Sequence, residues 1–235
     1  MNAIVKPLSW SFSRMQDFES CPQKYKLKHI DKIPEPDRPL PKGRSEHAND
    51  RGTRLHLEAE MFVNGTGPFT PELKRYEEEL NKLKRLYAVG RVEQEGEWAV
   101  DQDWEIAEWK TGWLRLKLDA LVHASKYEAV VIDFKSGRYE GNQAKHGEQV
   151  NLYALVTFLR FPELEEIDVE LWYLDHEVIT TRHLTRDQSL RFKQGFDRRG
   201  KAITTATAFP ARANKWSCQY CPYKPSGTGD CPVGV

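Results

Sequence analysis

The chain has 235 residues, enough for one substantial core but small for two. Hydrophobic residues make up 39% and charged residues 30%, the profile of a soluble globular protein, and apolar runs such as Ala154-Leu155-Val156 are far too short to span a membrane. Thirty-five basic residues balance 35 acidic ones, so overall charge cannot draw the chain to nucleic acid and any such affinity must come from local patches. The opening run MNAIVKPLSW has neither the apolar stretch nor the cleavage signal of a secreted protein, which predicts a cytoplasmic chain.

In chain order, Ser13 is placed to cap a short helix, and Pro22 suits the first position of a second one reaching Ile30. Residues 34–45 hold four prolines and both charge signs and read as an irregular loop. A helix is predicted from Ala48 to Asn64, ended by Asn64-Gly65. Another follows Thr70-Pro71, with Leu73, Tyr76, Leu80, Leu83 and Tyr87 at helical spacing. Residues 92–100, 104–109 and 113–123 read as antiparallel strands, and 128–135 as a buried strand. A helix from Gly147 to Phe161, strands at 167–174 and 177–184, and a basic helix capped by Thr185 with Gln188 and reaching Gly200 complete the order. The tail from Trp216 is rich in Cys, Pro and Gly, and the chain has no internal repeats. The pattern is an α+β fold, read as a single domain over residues 1–235.

Two segments are locally basic: Lys24, Lys26, Lys28 and Lys32, then Arg191, Lys193, Arg198, Arg199 and Lys201. Each suits a phosphate-tracking surface or an ordinary solvated helix face. The run Gly195 to Lys201 mimics a phosphate-binding loop, but Ala202 follows where a hydroxyl is needed, and the segment follows a helix instead of a strand.

In LRLKLDALV, the residues Leu114, Leu116, Leu118, Ala120 and Val122 alternate onto one strand face, leaving Asp119 on the other with Arg115 and Lys117. In VVIDFKSG, Val130, Ile132 and Phe134 share one face and Val131, Asp133 and Lys135 the opposite one. A carboxylate and an ammonium two residues apart project side by side. A carboxylate on each of two neighbouring strands can grip one divalent cation, and an adjacent lysine can position water or stabilise charge on a phosphate. His56, in Gly52-Thr-Arg-Leu-His56, offers an imidazole as a further ligand. Gln149 and Tyr153, four apart on the following helix, are placed to contact a nucleic-acid backbone or to hold Lys135. Any one of these features is common for structural reasons; their order along the chain is what carries information.

That order is Gly-x-x-x-His, an aspartate on a strand, Asp-x-Lys on the next strand, then Gln-x-x-x-Tyr on a helix. It resembles the RecB-like branch of the PD-(D/E)XK nucleases. Cys21, Cys218, Cys221 and Cys231, one early and three late, resemble the iron–sulfur members of that branch, which include the AddB nuclease domain, CRISPR-associated single-strand exonucleases and related phage exonucleases. The segment SFSRMQDFESCPQKYKLKHI also resembles their opening, so the likeness spans residues 11–232. Where the family often has Gly-x-Ile/Val-Asp, this chain has Lys117-Leu118-Asp119.

The resemblance implies a PD-(D/E)XK core with a mixed central sheet flanked by helices, its ends tied by a four-cysteine cluster. It implies Mg2+ or Mn2+ held by His56, Asp119 and Asp133, with the backbone carbonyl of Phe134 as a further candidate ligand, and Lys135 in catalysis beside Asp119 and Asp133. It implies a 4Fe–4S cluster on the four cysteines; spacing alone leaves zinc equally open, while disulfides do not fit a chain without a secretory signal. The implied activity is exonucleolytic hydrolysis of DNA, single-stranded or at ends, in recombination, repair, phage DNA metabolism or CRISPR adaptation. A helicase, recombinase or integrase is the candidate partner protein, and no membrane is involved. A catalytically silent DNA-binding or assembly module is the alternative.

Overall fold

The computed structural model describes residues 9–36, 40, 42–43, 45–137 and 139–234. The loop expected over 34–45 lies in part outside them, at residues 37–39, 41 and 44. A six-stranded sheet organises the chain, in the order β2-β1-β3-β4-β5-β6. Its strands are β1 (Val92–Val100), β2 (Ile106–Ala107), β3 (Leu114–His123), β4 (Glu128–Lys135), β5 (Glu166–Tyr173) and β6 (Val178–Thr185). All neighbouring pairs are antiparallel except β4 and β5, whose parallel pairing spans the crossover helix α5 (Gln143–Arg160). The sheet is thus mixed and flanked by helices, an α+β arrangement as expected.

Helices α1 (Phe12–Ser20), α2 (Pro22–Tyr25), α3 (Ala48–Val63) and α4 (Glu77–Ala88) precede the sheet, and α6 (Arg186–Leu190), α7 (Lys193–Thr204) and α8 (Lys215–Cys218) follow it. On one face, Leu152, Leu155 and Phe158 of α5 pack with Met15, Phe196, Ile203, Leu114, Val131 and Val169. On the other face, Leu55 and Ala59 of α3 and Leu80 and Leu83 of α4 pack with Ala120, Ile132, Phe134 and Trp172. Strand β4 is covered on both faces, which is why its sequence is a nearly unbroken apolar run. A third, small cluster joins the tail to α2 and the segment after it through Leu27, Tyr223 and Cys231.

The elements expected from sequence occur, with instructive differences. Ser11, not Ser13, caps α1, its hydroxyl accepting from Arg14 N at 3.4 Å. The second helix reaches Ile30, but its last stretch, Lys26–Ile30, is a π-helix. The helix after Pro71 begins as 3-10 turns over Pro71–Tyr76. The strand expected over 104–109 shrinks to Ile106–Ala107 because the Asp101 carboxylate accepts from the backbone N–H groups of Asp103 and Glu105, closing a turn with Trp104 at φ +69°. Helix α5 starts at Gln143 and runs through Gly147, where an added Cβ would meet open space. A glycine there costs about 1 kcal/mol without ending a helix. The Thr185–Gln188 capping box forms, but the basic helix is broken at Arg191-Phe192 into α6 and α7, so that Phe192 and Phe196 both turn to the first core.

The most consequential difference is in β3. Leu114, Leu116 and Leu118 pack in the first core, together with Leu121, while Ala120 and Val122 pack in the second. The even-numbered run therefore does not share one face. The switch falls at Asp119, where the ladder to β1 skips a pair between Gln94↔Ala120 and Gly96↔Leu118. Glu95, at that skipped position, has φ +46°, a left-handed backbone that kinks the strand.

Candidate functional site

The same point is a fork. Strands β3 and β4 pair from His123↔Ala129 to Ala120↔Ile132 and then part, so Asp119 and Asp133 stand just beyond the last pair. Parting leaves the Phe134 N–H without its ladder partner, and Asp119 Oδ2 accepts it at 2.6 Å. The other oxygen, Asp119 Oδ1, lies 2.9 Å from His56 Nδ1 on α3, whose ring meets Phe134 edge-on. On the α5 side, Lys135 Nζ donates to Gln149 Oε1 at 3.0 Å, Gln149 Nε2 to the Tyr153 hydroxyl at 2.6 Å, and that hydroxyl to Asp133 Oδ1 at 3.1 Å. The Lys135 ammonium closes the ring as an ion pair with Asp133 Oδ2. All six side chains singled out in the sequence, His56, Asp119, Asp133, Lys135, Gln149 and Tyr153, thus come together at one place. They line a single groove of about 1400 Å³, larger than most small-molecule pockets.

Asp133 is only 4% exposed. Burial raises its carboxyl above the usual carboxylate range, and the charge of Asp119 adds to this against the pull of Lys135. Burial likewise pushes the Tyr153 phenol well up, with Asp133 adding to it, so this hydroxyl stays a donor. Burial works against a charge on His56, but the hydrogen bond its ring makes to the Asp119 carboxylate and the charges of Asp119 and Asp133 outweigh it and raise the imidazole overall.

Two carboxylates and an imidazole beside a lysine are a donor set suited in kind to a hard or borderline divalent cation. Asp133 Oδ2 supports the fit: it is buried and, although ion-paired with Lys135, has no hydrogen bond of acceptable geometry. As they stand, no three His, Cys, Asp or Glu side chains among the described residues are arranged to hold a metal ion. Protein donors occupy both carboxylates instead.

Supporting contacts fix the loop after β4. Arg51 of α3 grips Asp175 through Nη1 (3.0 Å) and Nη2 (2.8 Å), and Asp175 also accepts from Gly137 N at 2.7 Å. Gly52 is buried where that loop crosses α3, and a Cβ there would lie 2.6 Å from Ser136 Oγ. Gly52→Ala needs only a turn of one hydroxyl, but Gly52→Leu should displace the backbone that follows Lys135. The leucine variant is expected to lose about 100-fold in cleavage rate, the cost of an ångström-scale misplacement, with alanine within a few-fold of wild type. Rates on a labelled oligonucleotide, alongside melting temperatures, check this.

The groove also contains carboxylates the sequence reading missed: Glu60 and Glu95, and, towards Arg51 and Arg54, Glu46, Glu72 and Asp175. Burial raises Glu95, as do the charges of Asp119 and Glu60. Glu60 is four residues beyond His56 on α3, and Gly96 inside a strand pattern was the signal for the kink that carries Glu95.

The basic segments are largely neutralised. Lys24 and Lys28 pair with Asp17, Lys26 with Asp31, Lys201 with Asp197, and Arg199 with both Glu19 and Glu148. For these residues the structure favours a local stabilising role over phosphate tracking.

Far along the chain from the groove residues, Cys21, Cys218, Cys221 and Cys231 line one cavity of about 50 Å³ between α2 and the tail. None of the four is joined in a disulfide. Arg212 N donates to Cys21 Sγ at 3.4 Å, and burial raises the Cys231 thiol, with the other three cysteines adding to it. The residues converge as a set, although their present arrangement, like that of the carboxylates, is not a ready-made metal cage.

The family profile of the PD-(D/E)XK nuclease superfamily matches residues 9–123 and 114–226, and the chain belongs to that superfamily. No curated protein matches it. Its fold is similar to the crystal structure of SSO0001, at TM-score 0.50 and 14% identity, covering 100% of this chain and 91% of that one. It is also similar to a protein named provisionally as an exonuclease, from Eubacterium rectale, at TM-score 0.53 and 12% identity, covering 100% and 97%. No helix among the described residues is long and apolar enough to cross a membrane.

Proposed function

We propose that the chain is a divalent-metal-dependent deoxyribonuclease of the RecB-like branch, acting as an exonuclease on single-stranded DNA or DNA ends. The observation that carries this reading is the fork itself, where His56, Asp119, Asp133 and Lys135 meet at the groove. In this reading His56, Asp119, Asp133 and the Phe134 carbonyl hold Mg2+ or Mn2+. A cation held there would supply Lewis acidity at the scissile phosphate. Lys135 neutralises charge building on the scissile phosphate and orients the nucleophile. Gln149 and Tyr153 keep that ammonium and Asp133 in register, and Tyr153 does so as a donor held in its neutral form. Retention of Asp119, Asp133 and Lys135, all lining one groove, argues against a silent assembly module.

The superfamily membership and the likeness to the Eubacterium rectale protein support nuclease chemistry. The exonuclease preference, the role in repair, recombination, phage metabolism or CRISPR adaptation, and a helicase, recombinase or integrase partner extend it by resemblance. We further propose a single domain over 1–235 whose ends are joined by a 4Fe–4S cluster on Cys21, Cys218, Cys221 and Cys231. Digestion of end-labelled linear and covalently closed circular DNA, single- and double-stranded, tests the exonuclease reading. Linear DNA should be degraded progressively and circles should resist. Rapid cutting of circles would make the chain an endonuclease.

The ligand roles make a separate prediction. His56→Ala should weaken Mg2+ binding by about 10-fold or more and lose cleavage in Mg2+, with substantial recovery at high Mn2+. Tyr153→Phe should slow cleavage without changing metal affinity. Calorimetric titration of each metal into both variants distinguishes the roles, and equal loss of metal affinity in Tyr153→Phe would remove the distinction.

A further inference from the structure

Among the exposed large hydrophobic side chains, Trp216 and Tyr220 stand apart at 77% and 78% exposure. Both lie on the turn that also carries Cys218 and Cys221. The turn directs the cysteines inward to the shared cavity and leaves the two rings in solvent. It is well fixed: Asn214 Oδ1 accepts from Trp216 N at 3.1 Å and Ser217 N at 2.9 Å, and Cys221 N donates to Cys218 O at 3.0 Å. Trp216 lies within α8 and Tyr220 in the turn just past its end, where Gln219 keeps helical backbone dihedrals, and both rings are left in solvent.

Between Asp197 and Asp230 the chain carries six Lys or Arg and no Asp or Glu; of these, Arg199 and Lys201 are ion-paired with acids elsewhere. Near the turn, Arg212 donates to the Glu19 carbonyl and Lys224 to the Gln219 carbonyl, so hydrogen bonds hold these cations without cancelling them. Lys215 is exposed and has no ion pair among the described residues. This contrasts with Lys24, Arg199 and Lys201, each of which has a carboxylate partner.

We propose that Trp216 and Tyr220, with Arg212, Lys215 and Lys224, form a stacking platform for single-stranded DNA. This rests on the nuclease reading and deepens it. Rigid, solvated rings offer π-faces that every base can stack on, and unneutralised cations beside them attract the phosphates. A duplex keeps its base faces covered and cannot use the rings. Charge complementarity favours this occupant over a protein partner, for which a patch of unpaired cations would need matching acids.

The test is fluorescence anisotropy with the full chain, in EDTA, using labelled oligo(dT) and a blunt hairpin duplex. Trp216→Ala and Tyr220→Ala are each expected to weaken oligo(dT) binding by about 5- to 100-fold, while duplex binding changes little. Trp216→Phe should keep most of the affinity. Lys215→Ala should lower the salt slope of oligo(dT) binding by about 0.7. Because both rings are solvent-exposed, melting temperatures should match wild type, and a variant that fails this check is replaced by Trp216→Phe with Tyr220→Ala. Unchanged oligo(dT) affinity, or equal losses on duplex and single strand, overturns the platform and assigns the patch to a protein partner. If wild type cleaves DNA and the variants bind normally, only the platform fails. If wild type neither binds nor cleaves DNA, the nuclease reading fails.

Discussion

Lys135→Ala is expected to cut DNA cleavage by about 100- to 1000-fold, and Asp133→Asn to reduce it at least as much. The physical reasons differ. Lys135 brings the one ammonium of the ring formed by Asp133, Tyr153 and Gln149, and neither neighbour can replace its charge. Asp133 is a buried carboxylate whose ionisation its surroundings oppose, chiefly through desolvation. Neutralising it with an isosteric amide removes a buried charge and retains an acceptor for Tyr153. The melting temperature of Asp133→Asn should therefore lie within a few degrees of wild type even though cleavage is lost. Loss of activity with a preserved fold separates a chemical role from a structural one. Near-normal turnover by Lys135→Ala would mean that the site has been misassigned.

The second large effect concerns the cysteines. The tail reaches the body through few buried apolar side chains, Leu27, Tyr223 and Cys231, with Tyr223 also donating to the Ile33 carbonyl at 3.1 Å. So small a cluster leaves the tail weakly held unless something else joins it. Linking Cys21 to Cys218 closes a loop with 196 residues between them, which restricts the unfolded chain by roughly 5 kcal/mol if a covalent cross-link of that length is the guide. At about 2–4 °C per kcal/mol for a chain of this size, Cys21→Ala or Cys218→Ala should lower the melting temperature by about 10–20 °C. Both should lose iron, become less soluble and lose activity indirectly. Iron, sulfide and zinc analysis of anaerobically purified protein identifies the metal. Stoichiometric zinc without labile sulfide would overturn the 4Fe–4S assignment and leave the staple standing. An unchanged melting temperature would overturn the staple.

Much of the site was legible in the sequence because its signals are local. Asp133 and Lys135 are two apart on a strand, Gln149 and Tyr153 four apart on a helix, and His56 lies four residues after Gly52 on another helix. Alternation alone misled at β3, where it put Ala120 and Val122 with Leu114. That error has one cause: the kink opposite Asp119 depends on the backbone of Glu95, a residue on another strand. The closed ring from Lys135 to Asp133 and the parting of β3 from β4 are likewise relations between elements, which no periodicity encodes. The strand lost after Asp101 fell to a side-chain turn that competes locally with the ladder. The platform residues Trp216 and Tyr220 read simply as part of a cysteine-rich tail until their exposure was known.

The account stands or falls on metal-dependent cleavage at the fork. The most direct measurement follows end-labelled single-stranded DNA with purified wild-type chain and Asp133→Asn in parallel, first in EDTA and then with Mg2+ or Mn2+ added in excess. Products should appear only in the wild-type reaction and only after the metal is added. Cleavage that persists in EDTA, or that Asp133→Asn carries out at the wild-type rate, would contradict it.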